Sequence, residues 1–423
     1  MAETIDPARL LGAMTAAIRD ERAVPARLAS SRETLDELRE RKLDPVAPRL
    51  ARWVLALLLR RANHDAVRAE QEARTAKVLR VARDGREVSL DDVVVRLVRG
   101  APDAPELLEA LAAGSGRVTD PARIAWARRG RMLELLGRPR DPSAVVADPV
   151  ALATRVLRET DELAGTLAAR DVPSAVARAA GHGVDVGWPR ALDEATLLAP
   201  FRGEAGWLDV PPLAIGPLPR VLAPASFVRG FARIGERWAD ACAPRDRPLP
   251  LAVTPSRLDR HVSGALFASM ALDRTLLDRL GLSRREQARA ERQVAAAALA
   301  HTRKLALSMV LRPHAEQDGS TELSRAFDEH GARALGAPRA PLALALAVPK
   351  VDPLDESRLA GALAAATLAD RLRERHDEDW PRNRRAVVEL RHELGSDPRD
   401  ALDDDACQQG LSALVARLTR ALA

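Results

Sequence analysis

Apolar residues recur at spacings of three and four along most of this chain, with Arg, Glu and Asp filling the intervals. That is the period of a helix that buries one face. The punctuation agrees. Asp6-Pro7 reads as an N-cap followed by proline at the first helical position, opening a helix to about Glu21. A second helix is expected from about Ala26 to Lys42, and Asp44-Pro45 opens a third that runs past Arg80. Asp84-Gly85 is a turn dipeptide, after which Arg86 to Leu90 reads as a short strand. Ser89-Leu90-Asp91-Asp92 is a capping box into the next helix. Helices are predicted over 120–136 and 149–169. From Gly181 to Pro224 glycine, proline and tryptophan break the period, and Trp188 and Trp207 are read as pins holding an ordered loop to the core. Further helices are predicted over 225–241, 256–273 and 283–311, from a cap at Asp352-Pro353 to His376, and over 405–423.

Composition narrows the class. At 423 residues and 47% hydrophobic, the chain can bury one large core or two moderate ones. It has no run of eighteen apolar residues; Trp53 to Leu59 and Pro341 to Pro349 are both too short, so no membrane span is expected. The first residues are acidic rather than basic, unlike a secretory leader, and a cytoplasmic location is expected. Two cysteines, Cys242 and Cys407, exclude a disulfide framework and a Cys-rich zinc site, and both read as small buried or half-buried side chains. All 65 cationic residues except Lys42, Lys77, Lys304 and Lys350 are arginine, and tyrosine is absent, the imprint of a GC-rich genome. The formal charge of +5 is spread thinly, with acids interleaved as in Arg371 to Asp379, so nucleic-acid binding is not expected.

One helix carries the chemical argument. In Phe227 to Trp238 the order Ala232-Arg233-Ile234-Gly235-Glu236 has the shape of a zinc-peptidase His-Glu-x-Gly-His helix with its ligands replaced. Such a helix needs two imidazoles four residues apart to grip the metal, and a glutamate beside the first to take a proton from bound water. An alanine methyl cannot ligate zinc, and an arginine is no base at neutral pH. Other segments follow in order: Asp84 to Ser89 with Val93 to Leu97, Gly264 to Asp273, Leu277 to Leu282, Arg303-Lys304-Leu305-Ala306, and Leu372 to Trp380 with Asn383-Arg384. Taken together these resemble oligoendopeptidase-type zinc metallopeptidases, the helical thimet-oligopeptidase-like group.

What the resemblance implies is specific. His261 falls at the place of the third metal ligand, and Arg358 near the place of an oxyanion-stabilising tyrosine. No two of the eight histidines are four residues apart, and His392-Glu393-Leu394-Gly395 is followed by Ser396 where a second ligand would stand, so no relocated helical zinc pair exists. No Gly-x-Ser-x-Gly elbow or phosphate loop occurs. Arg233 and Glu236, three apart, are expected to form an intrahelical ion pair worth about 0.2–0.5 kcal/mol. Arg303 is expected to pair with a helix carboxylate and Trp380 to anchor the last helices.

The expected fold is mainly α: two helical lobes, 1–115 and 116–423, around a central cleft in one continuous unit, with at most a small β remnant. The expected function is that of a peptidase-like protein without catalytic residues, metal or cofactor, working through a protein or peptide partner, such as an active paralogue, or in an oligomer. Two other readings stay open: an enzyme with remade chemistry built on His261, Glu236 and neighbouring carboxylates, and a helical scaffold with no peptidase ancestry.

Overall fold

Local capping sets most of the helix starts. In the computed structural model, which describes residues 6–41, 44–98, 101–167, 224–244, 246–279, 281–317, 320–335 and 352–423, Asp6 accepts from the Ala8 N–H at 3.0 Å and opens α1 (Pro7–Arg19). Ser31 caps α2 (Arg32–Glu40), so the expected helix from Ala26 begins later, after a 3-10 turn at Arg27–Ala29. The third helix, α3 (Ala47–Thr75), stops short of Arg80 because the backbone turns extended at Ala76. Leu79–Arg80 (β1) and Glu87–Val88 (β2) then pair antiparallel around Gly85, and no other strand occurs among the described residues. The Ser89/Asp92 capping box forms as predicted and opens α4 (Leu90–Val98).

The next helix differs from expectation. It is a single helix, α5 (Ala104–Leu135), with Pro121 inside it. Asp120-Pro121 imitates an N-cap in sequence, yet residues ahead of it already bury Leu107, Ala110 and Leu111, and that packing carries the helix through the proline. Residue 115, where the two lobes were divided, lies within α5. Then come α6 (Pro149–Glu159), α7 (Asp161–Thr166), α8 (Pro224–Cys242), the short α9 (Leu249–Ala252), α10 (Leu258–Ser269) and α11 (Arg274–Arg279). The chain closes with α12 (Arg284–Glu316), α13 (Ser320–Leu335), α14 (Asp355–His376), α15 (Arg384–Leu394) and α16 (Asp404–Leu422). The sequence reading missed α13 and α15. The loop carrying Trp188 and Trp207, and the apolar run 341–349, lie outside the described residues.

The protein is mainly α, and its apolar residues gather in distinct clusters. One is built from α1 to α3, with Met14, Trp53, Val54 and Leu59 at its centre. The largest runs from α6 to α16 and includes Phe231, Trp238, Leu266, Phe267 and Trp380. A smaller one lies under the hairpin and α4. The longest helix, α12, has a window apolar enough to cross a membrane, but 72% of that window is buried inside the fold, as in a central core helix. The first cluster is tied to the segment after α8 by polar pins: Trp53 Nε1 donates to the Val253 carbonyl at 3.1 Å and Arg49 Nη1 to the Leu251 carbonyl at 2.9 Å.

Buried arginines do the remaining joining. Arg303 on α12 is buried and donates to the carbonyls of Leu157 (2.9 Å), Arg333 (2.6 Å) and Ala334 (3.2 Å), to Thr160 Oγ1 (2.6 Å) and to Asp161 (2.9 Å). The expected carboxylate partner is present, together with four oxygens that no sequence rule would supply. Arg312 binds Asp141 and Glu316 and stacks on Trp126 with its guanidinium carbon 5.4 Å from the ring centre. Burial alone would raise the Asp141 pKa, but Arg129 and Arg312 hold it well below the usual carboxylate range. Beside them Glu356 accepts the Val145 and Val146 N–H groups at 2.7 and 3.0 Å, which fastens the loop after α5 to α14.

Helices α8, α10, α14 and α16 pack side by side in that order. The first two crossings are made at glycines. A Cβ on Gly235 of α8 would clash with the Ser263 carbonyl and lie 2.9 Å from Phe267 Cβ; one on Gly361 of α14 would lie 2.8 Å from His261 Cβ and 3.0 Å from the Val262 nitrogen. With backbones this close, Ser263 Oγ donates to the Gly235 carbonyl at 2.7 Å, and Trp238 packs on Phe267 with ring centres 5.7 Å apart. Gly361→Ala is therefore expected to destabilise the protein by about 1–3 kcal/mol through overpacking. Gly12→Ala, in open space on α1, is expected to stabilise it by about 0.5–1 kcal/mol. Urea denaturation of the two variants checks both.

Candidate functional site

The tight α8–α10–α14 packing decides where the candidate residues fall. On α8, Phe231, Ile234, Gly235 and Trp238 form the buried stripe, which leaves Ala232, Arg233 and Glu236 half-buried beside it. A Cβ on Gly264 of α10 would lie 3.2 Å from the Ala232 carbonyl oxygen and 3.0 Å from Glu236 Cγ. His261 is on α10 one turn earlier, against Gly361 of α14, and Arg358 is one turn earlier still on α14. The structure thus brings Ala232, Glu236, His261 and Arg358 to one region, with Arg233 beside Ala232 on α8.

The charges there include partners that the sequence did not suggest. Glu236 takes an ion pair across helices, from Arg260 Nη2 of α10 at 3.4 Å. The close approach of α10 offers this cation at a position fixed by helix packing. His261 is buried, and its Nε2 has no hydrogen-bond partner among the described residues. Burial first, then the nearby Arg358, Arg260 and Arg257, push its pKa well below the usual histidine value, so the ring is neutral.

Two of the residues that define this region, Asp355 and Ser308, went unnoticed in the sequence, and Asp352 was read only as a cap. Asp352 and Asp355 both bind Arg358, the second at 2.9 Å, and Ser308 Oγ donates to Asp355 Oδ2 at 2.8 Å. Asp352 also accepts the Leu354 N–H at 3.0 Å in a turn just ahead of α14; the helix itself starts later than Asp352-Pro353 suggests, with Leu354 as its N-cap and no side-chain cap bond. Ser308 had a visible signal: it is the one polar residue in the apolar run Leu305 to Leu311. One guanidinium serves two carboxylates here, and Asp355 is the buried one. Burial, then the neighbouring Asp352, push its pKa up to about 6.

Zinc does not fit this donor set. Ala232 offers a methyl group, Arg233 a cation, and Glu236 is engaged by Arg260. The His261 imidazole stands in a field of three guanidiniums, which opposes a divalent cation. No group of three His, Cys, Asp or Glu side chains among the described residues is arranged to hold a metal. Both thiols have their pKa pushed up to about 11, chiefly by burial, so neither is poised as a nucleophile.

Next to this region is a cavity of about 520 Å³ between the end of α1, the C-terminal half of α8 and the first turn of α10. Arg237, Asp240, Arg257 and Arg260 line it; His261 and Glu236 do not.

The Asp355 carboxyl gives the site a pH signature. Its folded pKa lies above the ordinary 3.8, so between about pH 4 and 6 the folded state holds a proton that the unfolded chain has lost. Its contribution therefore favours folding at low pH and fades as pH rises through 6. Relative to Asp355→Asn, the wild-type protein is expected to gain roughly 2 kcal/mol between pH 7.5 and 4.5. Urea unfolding of both proteins across that range measures the difference.

Among known proteins, no family model matches this sequence and no curated protein matches it.

Proposed function

We propose that this chain is a non-catalytic relative of the oligoendopeptidase-type metallopeptidases, acting by binding a peptide or an extended segment of a partner protein. The observation that carries the reading is that the three working places of the His-Glu-x-Gly-His order hold Ala232, Arg233 and Glu236 at the close α8–α10 crossing, which removes two ligands and the base. Arg260 neutralises Glu236 where a metal would be held, and His261, at the third-ligand place, is buried, neutral and ringed by arginines. Gly235, at the glycine of the His-Glu-x-Gly-His order, has a packing reason to be there, since α8 meets the α10 backbone at that point. With a methyl, a guanidinium and an ion-paired carboxylate at these places, the helix pair would offer a scaffold for binding without the means to activate water.

The remade-enzyme reading has less support. It needs His261 and Glu236 in a shared pocket, and the cavity beside them is lined by neither.

The test is a panel of fluorescently labelled, internally quenched peptides of about ten residues, mixed with the untagged protein with and without added zinc or chelator. The expected outcome is saturable binding by anisotropy with no cleavage in any condition. Cleavage that zinc supports and a chelator abolishes would overturn the proposal, as would the absence of binding to every peptide in the panel.

A further inference from the structure

The charges lining the 520 Å³ cavity are not all balanced in the same way. Its volume falls within the range of about 300–1,000 Å³ usual for small-molecule sites. Asp259 is fully committed: Arg399 approaches it with Nε at 2.6 Å and its backbone N–H at 2.9 Å. Asp240 is shared between Arg237 at 3.6 Å and Arg260 Nε at 3.9 Å. Arg257 is different. It is held in the left-handed region, φ 54° and ψ 34°, at the residue preceding α10, a conformation that costs a non-glycine residue about 1 kcal/mol or more. That backbone sends its guanidinium into the cavity wall, where the side chain is only 15% exposed. Burial lowers its pKa even with a carboxylate beside it, the mark of an under-compensated cation.

The carboxylate beside it comes from Glu21, whose side chain is 59% exposed and reaches in from the turn after α1. Glu21 binds Arg257 and lies 3.9 Å from Arg260 Nη1. The turn that delivers it is fixed independently: Arg60 donates to the carbonyls of Ala17 (2.9 Å), Asp20 (3.3 Å) and Ala23 (3.1 Å). Glu21 is thus a solvent-accessible acid resting on two arginines at the first turn of a helix, over a cavity of ligand size. The N-cap of that helix makes no side-chain hydrogen bond, so its first N–H groups add to the positive field.

We propose that Arg257 and Arg260 form a carboxylate-binding clamp for a ligand that enters this cavity, and that Glu21 is the resident occupant the ligand displaces. The inference stands on the cavity's own geometry and does not require the peptide-binding reading above. The shared chemistry is a carboxylate, and two sources can supply it, a small dicarboxylic acid or the free C-terminus of a peptide. Displacement costs little, because the released Glu21 side chain returns to water.

Calorimetric titration with succinate, tetra-alanine bearing a free carboxylate, and tetra-alanine amide tests the clamp in the wild-type protein, Glu21→Gln, and Glu21→Gln combined with Arg260→Gln. Glu21→Gln is expected to bind succinate or the free-acid peptide about tenfold tighter than wild type, with the gain lost in the double variant. Whichever of the two probes gains affinity identifies the source, and the amide is expected to gain none. Glu21 is mostly exposed and the turn is held by Arg60, so Glu21→Gln keeps the fold, and matching thermal denaturation curves verify this. No gain for either carboxylate in Glu21→Gln, or an equal gain for the amide, would overturn the proposal.

Discussion

Everything distinctive in this protein depends on how closely α8, α10 and α14 approach one another. At Gly235 and Gly361 the partner helix occupies the space that a side chain would need, so these backbones meet without intervening side chains. Close packing at a crossing confines the neighbouring side chains as well. Glu236 is carried to Arg260, His261 is sealed against α14, and Arg358 is left to share two aspartates. Loosening that approach would change which charges meet.

The electrostatic character of the region follows. A metal centre gathers neutral or anionic donors around a cation. Here arginines instead face the carboxylates Glu236, Asp352 and Asp355, and burial with three nearby guanidiniums keeps the His261 ring neutral. Excess positive charge then reaches the surface through Arg257 and Arg260, where the wall of the cavity meets Glu21. The α8–α10 crossing and the proposed carboxylate clamp are linked by one residue: Arg260 pairs with Glu236 on one side and faces Glu21 on the other.

Much of the fold was legible because its signals are local. Asp6, Ser89 and Ser283 sit where capping chemistry demands, and the helices they open begin where the sequence placed them. The reading failed where a local signal was overruled. Asp120-Pro121 looks like a helix start, yet α5 runs through it because the residues before it are already buried in the core under the hairpin. At the site, positions on a single helix could be read, but their partners could not. Arg260 is a mate for Glu236 only through the fold. The same holds for Glu21 and Arg257, which are distant in sequence and joined by the turn that Arg60 secures.

The central claim of the proposal is that Ala232, Arg233, Glu236 and His261, at the places the resemblance assigns to metal ligands and base, hold no zinc. Elemental analysis of the untagged protein, purified without chelators and dialysed against zinc, addresses it directly. The account predicts zinc at background level. Near-stoichiometric zinc that survives dialysis would contradict it and would place a metal site among ligands other than those described.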